Sequence, residues 1–159
     1  MPLQVYTARI ACDDPDRFDI TRKSGGEAGE PFAPSWKTLG PVLRLRQEQQ
    51  KLEVDASDAL RAKHAEEAKA LTQRARAAAR EVERAWVRYI DDYTAEMRLS
   101  YRARRAAWNA LLARERVVLV CYCTEPERCH RTLLGKNILP KLGAVFLGET
   151  HEYLDKKKR

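Results

Sequence analysis

Residues 117–135 read VVLVCYCTEPERCHRTLLG, and the fold class turns on them. Val117, Val118, Leu119 and Val120 form an unbroken aliphatic run. That pattern suits a strand covered on both faces, as in a parallel sheet. Cys121, Tyr122 and Cys123 continue it, and the alternation of a strand puts Cys121 and Cys123 on one face. Thr124 and Glu127 have the T-x-x-E spacing of a capping box, with Pro126 in the first turn, so the stretch predicts a helix beginning at Thr124. Leu133, Leu134, Ile138 and Leu139 give that helix an apolar face. Pro140 and Gly143 end it, before a further strand at 144–147. A strand–helix–strand unit of this kind implies parallel strands and a right-handed crossover.

Ligands of open α/β sheets bind beyond the carboxyl ends of the strands, and residues 123–131 occupy such an end. Cys129, His130 and Arg131 lie near a helix start, where backbone N–H groups favour anions. Arg131 adds a planar fork of donors for phosphate or carboxylate. Cys129 is a candidate nucleophile with His130 as a base, and Cys123 is the other candidate thiol. A metal is not expected. The C-x-C-x5-C-H spacing of Cys121, Cys123, Cys129 and His130 matches no common zinc knuckle, and neighbours such as 129 and 130 point about 100° apart on a helix. No other cofactor is implied.

The early part of the chain supplies a second patch. Residues 3–10 read as a strand, and Asp13, Asp14, Pro15 and Asp16 mark a turn. The loop over 21–34 carries Arg22, Lys23 and Ser24 ahead of Gly25 and Gly26, where backbone can approach a ligand closely. Asp19, Arg22, Ser24 and Arg131 are the candidate ligand-binding residues. Arg22, His130 and Arg131 could gather around a phosphate, or Arg131 could pair with Asp19 and tie the two patches together.

Strand–C-x4-P-x2-C-H-R–apolar helix, here Cys121, Pro126, Cys129, His130 and Arg131, resembles the signature of domain-of-unknown-function family 488. The stretch FDITRKSGG…FAPSW, with Asp19 and Arg22, resembles that family's other patch. The resemblance covers residues 1–40 and 86–150 and implies an α/β, Rossmann-like layered fold. A common family pattern places Glu where this chain has Cys123. Cys123 and Arg128 also read C-x4-R after a strand, similar to the rhodanese sulfurtransferase loop. Glu125, Pro126 and Glu127 oppose such an anion cradle with two negative charges and one missing donor.

The middle of the chain is different in kind. From Val42 to Arg114 there is no glycine and no proline, and Ala, Glu, Arg, Lys and Gln dominate. Such a composition is strongly helical. A break is expected at 54–57, with Asp55 or Ser57 as the next N-cap, and Gly40-Pro41 reads as punctuation with Pro41 opening a helix. Positions 60, 64, 67, 71, 75, 78, 82, 85 and 89 follow a three/four spacing, so residues 42–85 predict an antiparallel helical hairpin or coiled-coil arm. His64 is expected on its surface. Trp86, Ile90, Tyr93, Met97 and Tyr101 form an apolar stripe suited to packing on the sheet.

Taken together, these features predict a single three-layer α/β domain over 1–159, with a mostly parallel sheet and a long α-helical insertion. The chain has 159 residues, 33% of them charged, and a net charge of +7. No run approaches transmembrane length and the N-terminus lacks a signal peptide's apolar core, so no membrane partner and a cytoplasmic location are expected. The four cysteines are then expected as thiols. The partner expected at the site is a small anionic or nucleotide-like ligand, bound with or without thiol or acid/base catalysis. Arg98, Arg102, Arg104 and Arg105 make a basic face that could take nucleic acid, and the arm could mediate a homodimer. The tail over 155–159 is expected to be a disordered basic extension.

Overall fold

The computed structural model describes residues 1–150. Strand β1 (Gln4–Arg9) lies in the interior of a four-stranded sheet. Strand β2 (Arg17–Asp19) follows, then a single turn, α1 (Gly26–Gly29), and a 3-10 turn (Glu30–Phe32). The long helices α2 (Trp36–Arg61) and α3 (Ala65–Ala103) come next, then α4 (Arg105–Leu112). Strand β3 (Arg116–Cys121) leads through a 3-10 turn (Pro126–Arg128) into a helical segment. That segment comprises α5 (His130–Thr132), a π stretch (Leu133–Ile138) and a 3-10 turn (Leu139–Leu142). Strand β4 (Val145–Glu149) closes the order β2-β3-β1-β4. Every pairing is parallel, with Gln4 opposite Arg116 and Arg17 opposite Val118. The fold is α/β, Rossmann-like, with a long helical insertion, and no helix among the described residues is long and apolar enough to cross a membrane. The tail expected at 155–159 lies outside the described residues.

Burial explains the aliphatic run. Val117, Val118, Leu119 and Val120 are all fully buried because both faces of the sheet are covered. One face, with Val5, meets the helical segment at Gly135, where an added Cβ would come within 3.2 Å of Val5 and 3.3 Å of Phe146. The other face packs Tyr6, Ala8, Val118 and Val120 against Ile10 and Cys12 of the β1–β2 crossover. That crossover contains no helix. It is held instead by Arg116, which donates to Asp14 (2.7 and 2.9 Å) and Asp16 (2.8 Å) while its guanidinium lies 4.9 Å from the Tyr6 ring centre.

Two compact units can be distinguished, Met1–Ser35 with Tyr93 onward, and Trp36–Asp92. In the second, Ala68, Ala75, Val82 and Tyr89 are buried at intervals of seven, which is the heptad repeat of a coiled-coil seam. Val42, Leu52 and Ala59 supply the buried side of α2. Leu60 and Glu67, expected on the seam, are exposed instead, and His64 lies on the surface as expected. Two boundaries also differ from expectation. Gly40 and Pro41 lie inside α2, and the helix runs through 54–57 to Arg61. Asp55 and Ser57 are weak helix formers rather than breakers, and neither glycine nor proline interrupts the chain between Val42 and Arg61. The break falls at Lys63, which takes φ +63°. Its N–H donates to Leu60 and that of His64 to Ala59, closing a Schellman turn. A left-handed lysine is strained where glycine is not. Lys63→Gly is therefore expected to raise stability by about 0.5–1 kcal/mol in urea unfolding. A loss of stability would show the turn to be unstrained.

Candidate functional site

The parallel strands end together, and their carboxyl ends carry the expected residues. Asp19 ends β2, Cys121 ends β3 and Glu149 ends β4. The helix expected from Thr124 does not form there. Pro126 opens only a single 3-10 turn with no side-chain cap, and Cys129 then drops to extended backbone (φ −138°, ψ 144°). The helical segment restarts at His130 with Cys129 as its N-cap residue, and the Cys129 carbonyl accepts from Thr132 and Leu133 (both 3.2 Å). This restart brings the cluster together. The sulfurs of Cys121, Cys123 and Cys129 all lie within 4.8 Å of one another.

His130 is buried and its ring is fixed from outside the cluster. Its Nε2 lies 2.9 Å from the Ile20 carbonyl. A carbonyl can only accept, so Nε2 carries the proton, and in the neutral ring Nδ1 is left as a lone pair. That lone pair faces the sulfurs of Cys121 (3.8 Å) and Cys129 (3.9 Å). Burial lowers the pKa of His130, which favours this neutral acceptor form. Tyr93 of α3 packs edge-on against the imidazole, with centroids 5.8 Å apart, and donates to the Phe32 carbonyl at 2.8 Å.

The two buried thiols are held protonated. Desolvation pushes Cys129 well up. Contact with the Cys123 sulfur is the first cause that pushes Cys121 up to about 12. Cys129 is 1% exposed, so as the chain stands its sulfur does not reach solvent, whereas Cys123 is partly exposed. All four cysteines are thiols. Three converging sulfurs with an imidazole lone pair beside two of them are also a donor set that a soft metal ion could use. Spacing does not encode that convergence, because Cys129 is extended and the helical segment begins only at His130, so the two are not neighbours on one continuous helix.

Arg131 is fully buried and its fork is engaged. Nε and Nη2 donate to Glu149 at 3.2 and 2.9 Å, and Nη1 donates to the Cys123 carbonyl at 2.8 Å and to the Cys129 sulfur at 3.5 Å. Its acid is therefore Glu149, not Asp19. Asp19 instead accepts from Thr21 and Ser24, and Tyr122 donates to Ser24 at 3.0 Å. This small network ties the loop after β2 to the end of β3. Arg22 turns away to the carbonyls of Pro34 (3.0 Å) and Ala33 (3.1 Å). Cys123, Cys129, His130 and Arg131 thus meet directly. Asp19 and Ser24 form a neighbouring wall, and Arg22 braces the loop behind it. Glu149, Thr7 (which donates to Glu149), Tyr93 and the Ile20 carbonyl were not legible as site residues. Thr7, Ile20 and Tyr93 lie far along the chain from the Cys-His-Arg motif, Glu149 ends the next strand, and no local pattern marks any of them.

The chain resembles domain-of-unknown-function family 488: the family model described as "DUF488-N3a: Active DUF488-N3 subclade" matches residues 68–142, which include the Cys-His-Arg cluster. No curated protein and no solved structure matches the chain.

Proposed function

Starting from that resemblance, we propose that the chain binds a small phosphate-bearing, nucleotide-like molecule at the carboxyl edge of the sheet and acts on it by thiol chemistry. The observation that carries this reading is the meeting of three sulfurs with the His130 Nδ1 lone pair. Cys123 is the sulfur presented to the ligand. Cys129 and Cys121 stand behind it as proton relays to His130, which is a base already in its acceptor tautomer. Arg131 is a positioning residue. It holds the Cys123 carbonyl and donates to Cys129, a contact that favours developing thiolate charge there. Ser24, Asp19 and Tyr122 shape the wall, and Lys23, 5.4 Å from the Tyr122 ring centre, is a cation at the mouth for a ligand phosphate.

The test is iodoacetamide labelling of the reduced native protein, read by peptide mapping. Cys123 should label at least about tenfold faster than Cys121 or Cys129, and His130→Gln should slow it. Inorganic phosphate or a nucleoside phosphate that occupies the mouth should protect Cys123. Equal labelling of the three sulfurs would overturn the reading. So would stoichiometric metal in the purified protein, released only when all three thiols become reactive.

A further inference from the structure

A second feature lies apart from the sulfurs. A cavity of about 360 Å³ opens between the end of α3, α4 and the 3-10 turn at Leu139–Leu142. Met97, Trp108, Ile138 and Leu142 give it apolar walls, and Trp108 is fixed in place. The indole N–H donates to Ser100 at 3.0 Å, and the ring packs edge-on against Tyr101 with centroids 5.4 Å apart. Four cations line the same cavity, Arg98, Arg102, Arg105 and Lys141, and no carboxylate does. Arg105 is pre-oriented, its guanidinium lying 3.8 Å from the Tyr101 ring centre.

Four like charges around an aromatic, apolar pocket repel one another, and an anion relieves that repulsion. An apolar interior with a few convergent polar groups is the usual form of a small-molecule site, and a cavity of this volume is at the small end of that range. We propose that this cavity binds a nucleoside phosphate, with the base beside the half-buried Tyr101, which the fully buried Trp108 holds from behind, and the phosphates held by Arg102, Arg105 and Lys141. Stacking rewards the base, and arginine forks match phosphate oxygens. None of the lining residues belongs to the sulfur centre, so this site and the thiol reading stand or fall separately.

The experiment is calorimetric titration with ADP, adenosine, pyrophosphate and a short single-stranded RNA. ADP should bind at least about tenfold more tightly than either adenosine or pyrophosphate, because each supplies only half of the recognition. Arg102→Ser with Lys141→Ser, both exposed positions, should weaken ADP by at least about tenfold, while iodoacetamide labelling of Cys123 stays unchanged. Three results would overturn the proposal: no ADP binding at about 1 mM; ADP binding that survives the double substitution but is lost in Cys123→Ser; or RNA binding far more tightly than ADP with a steep salt dependence, which would mark the basic face as a nucleic-acid surface.

Discussion

Arg131→Ala is expected to cost about 3–5 kcal/mol of stability, measured by urea unfolding. Arg131 has no exposed side-chain surface, and Glu149 keeps only 14% of its own. Each charge therefore depends on protein partners, chiefly the other, for what water would have supplied. The two-pronged contact at 2.9 and 3.2 Å offsets the desolvation of both. Alanine removes one side and leaves Glu149 charged in a site with little water, and Thr7 remains the donor to it. It also releases the Cys123 carbonyl. Arg131→Lys keeps the charge but not the fork, so an intermediate loss is expected. Arg131→Met combined with Glu149→Gln removes both charges and keeps an acceptor for Thr7. That pair should recover a large part of the loss, since the penalty comes chiefly from the orphaned partner. A fall of less than about 1 kcal/mol for Arg131→Ala would mean that water reaches Glu149 after all.

The second large effect is expected at Gly29, a residue with no chemistry of its own. A Cβ there would stand 2.0 Å from the Asp19 carbonyl oxygen and 3.1 Å from its carbon. Both atoms are backbone, so no side-chain rotation relieves the clash. Strand β2 or the turn α1 must move, and Gly29→Ala should cost about 3 kcal/mol. The displaced segment leads into Ile20, whose carbonyl holds the His130 tautomer. The same substitution should therefore change how readily Cys121 and Cys129 are alkylated. Gly40→Ala is the matched control. Nothing lies within 4 Å of its Cβ position, and it sits in helix α2, so a gain of about 0.5–1 kcal/mol is expected there. Equal effects at the two positions would show that the close approach at Asp19 does not exist.

The contrast between those two glycines shows where sequence reading stops. Gly25 and Gly26 follow Ser24 in a loop, a local signal that Gly29 lacks. Its role depends on a backbone ten residues earlier folding over it. The helical middle behaves similarly. Its lack of glycine and proline from Val42 to Arg114 predicted long helices, yet the turn fell at Lys63 rather than at Asp55 or Ser57. Intrinsic propensities near Asp55 differ by only a few tenths of a kcal/mol, less than tertiary packing supplies.

By itself, the sequence determined the buried strand at Val117–Val120, its parallel setting, the helical insertion and the nearness of Cys121, Cys123, Cys129, His130 and Arg131. These follow from side-chain period, backbone propensity and chain connectivity, all of which act over a few residues. Only the tertiary structure decided that Arg131 pairs with Glu149, that Ile20 fixes the His130 tautomer, and that three sulfurs converge where the helical segment restarts. It also decided that Arg22 turns away from the cluster to the carbonyls of Ala33 and Pro34. The Arg131–Glu149 and His130–Ile20 contacts depend on the order β2-β3-β1-β4, which brings together strand ends that lie apart along the chain. A buried charge or lone pair takes whichever partner that arrangement brings within reach, and no local pattern encodes it.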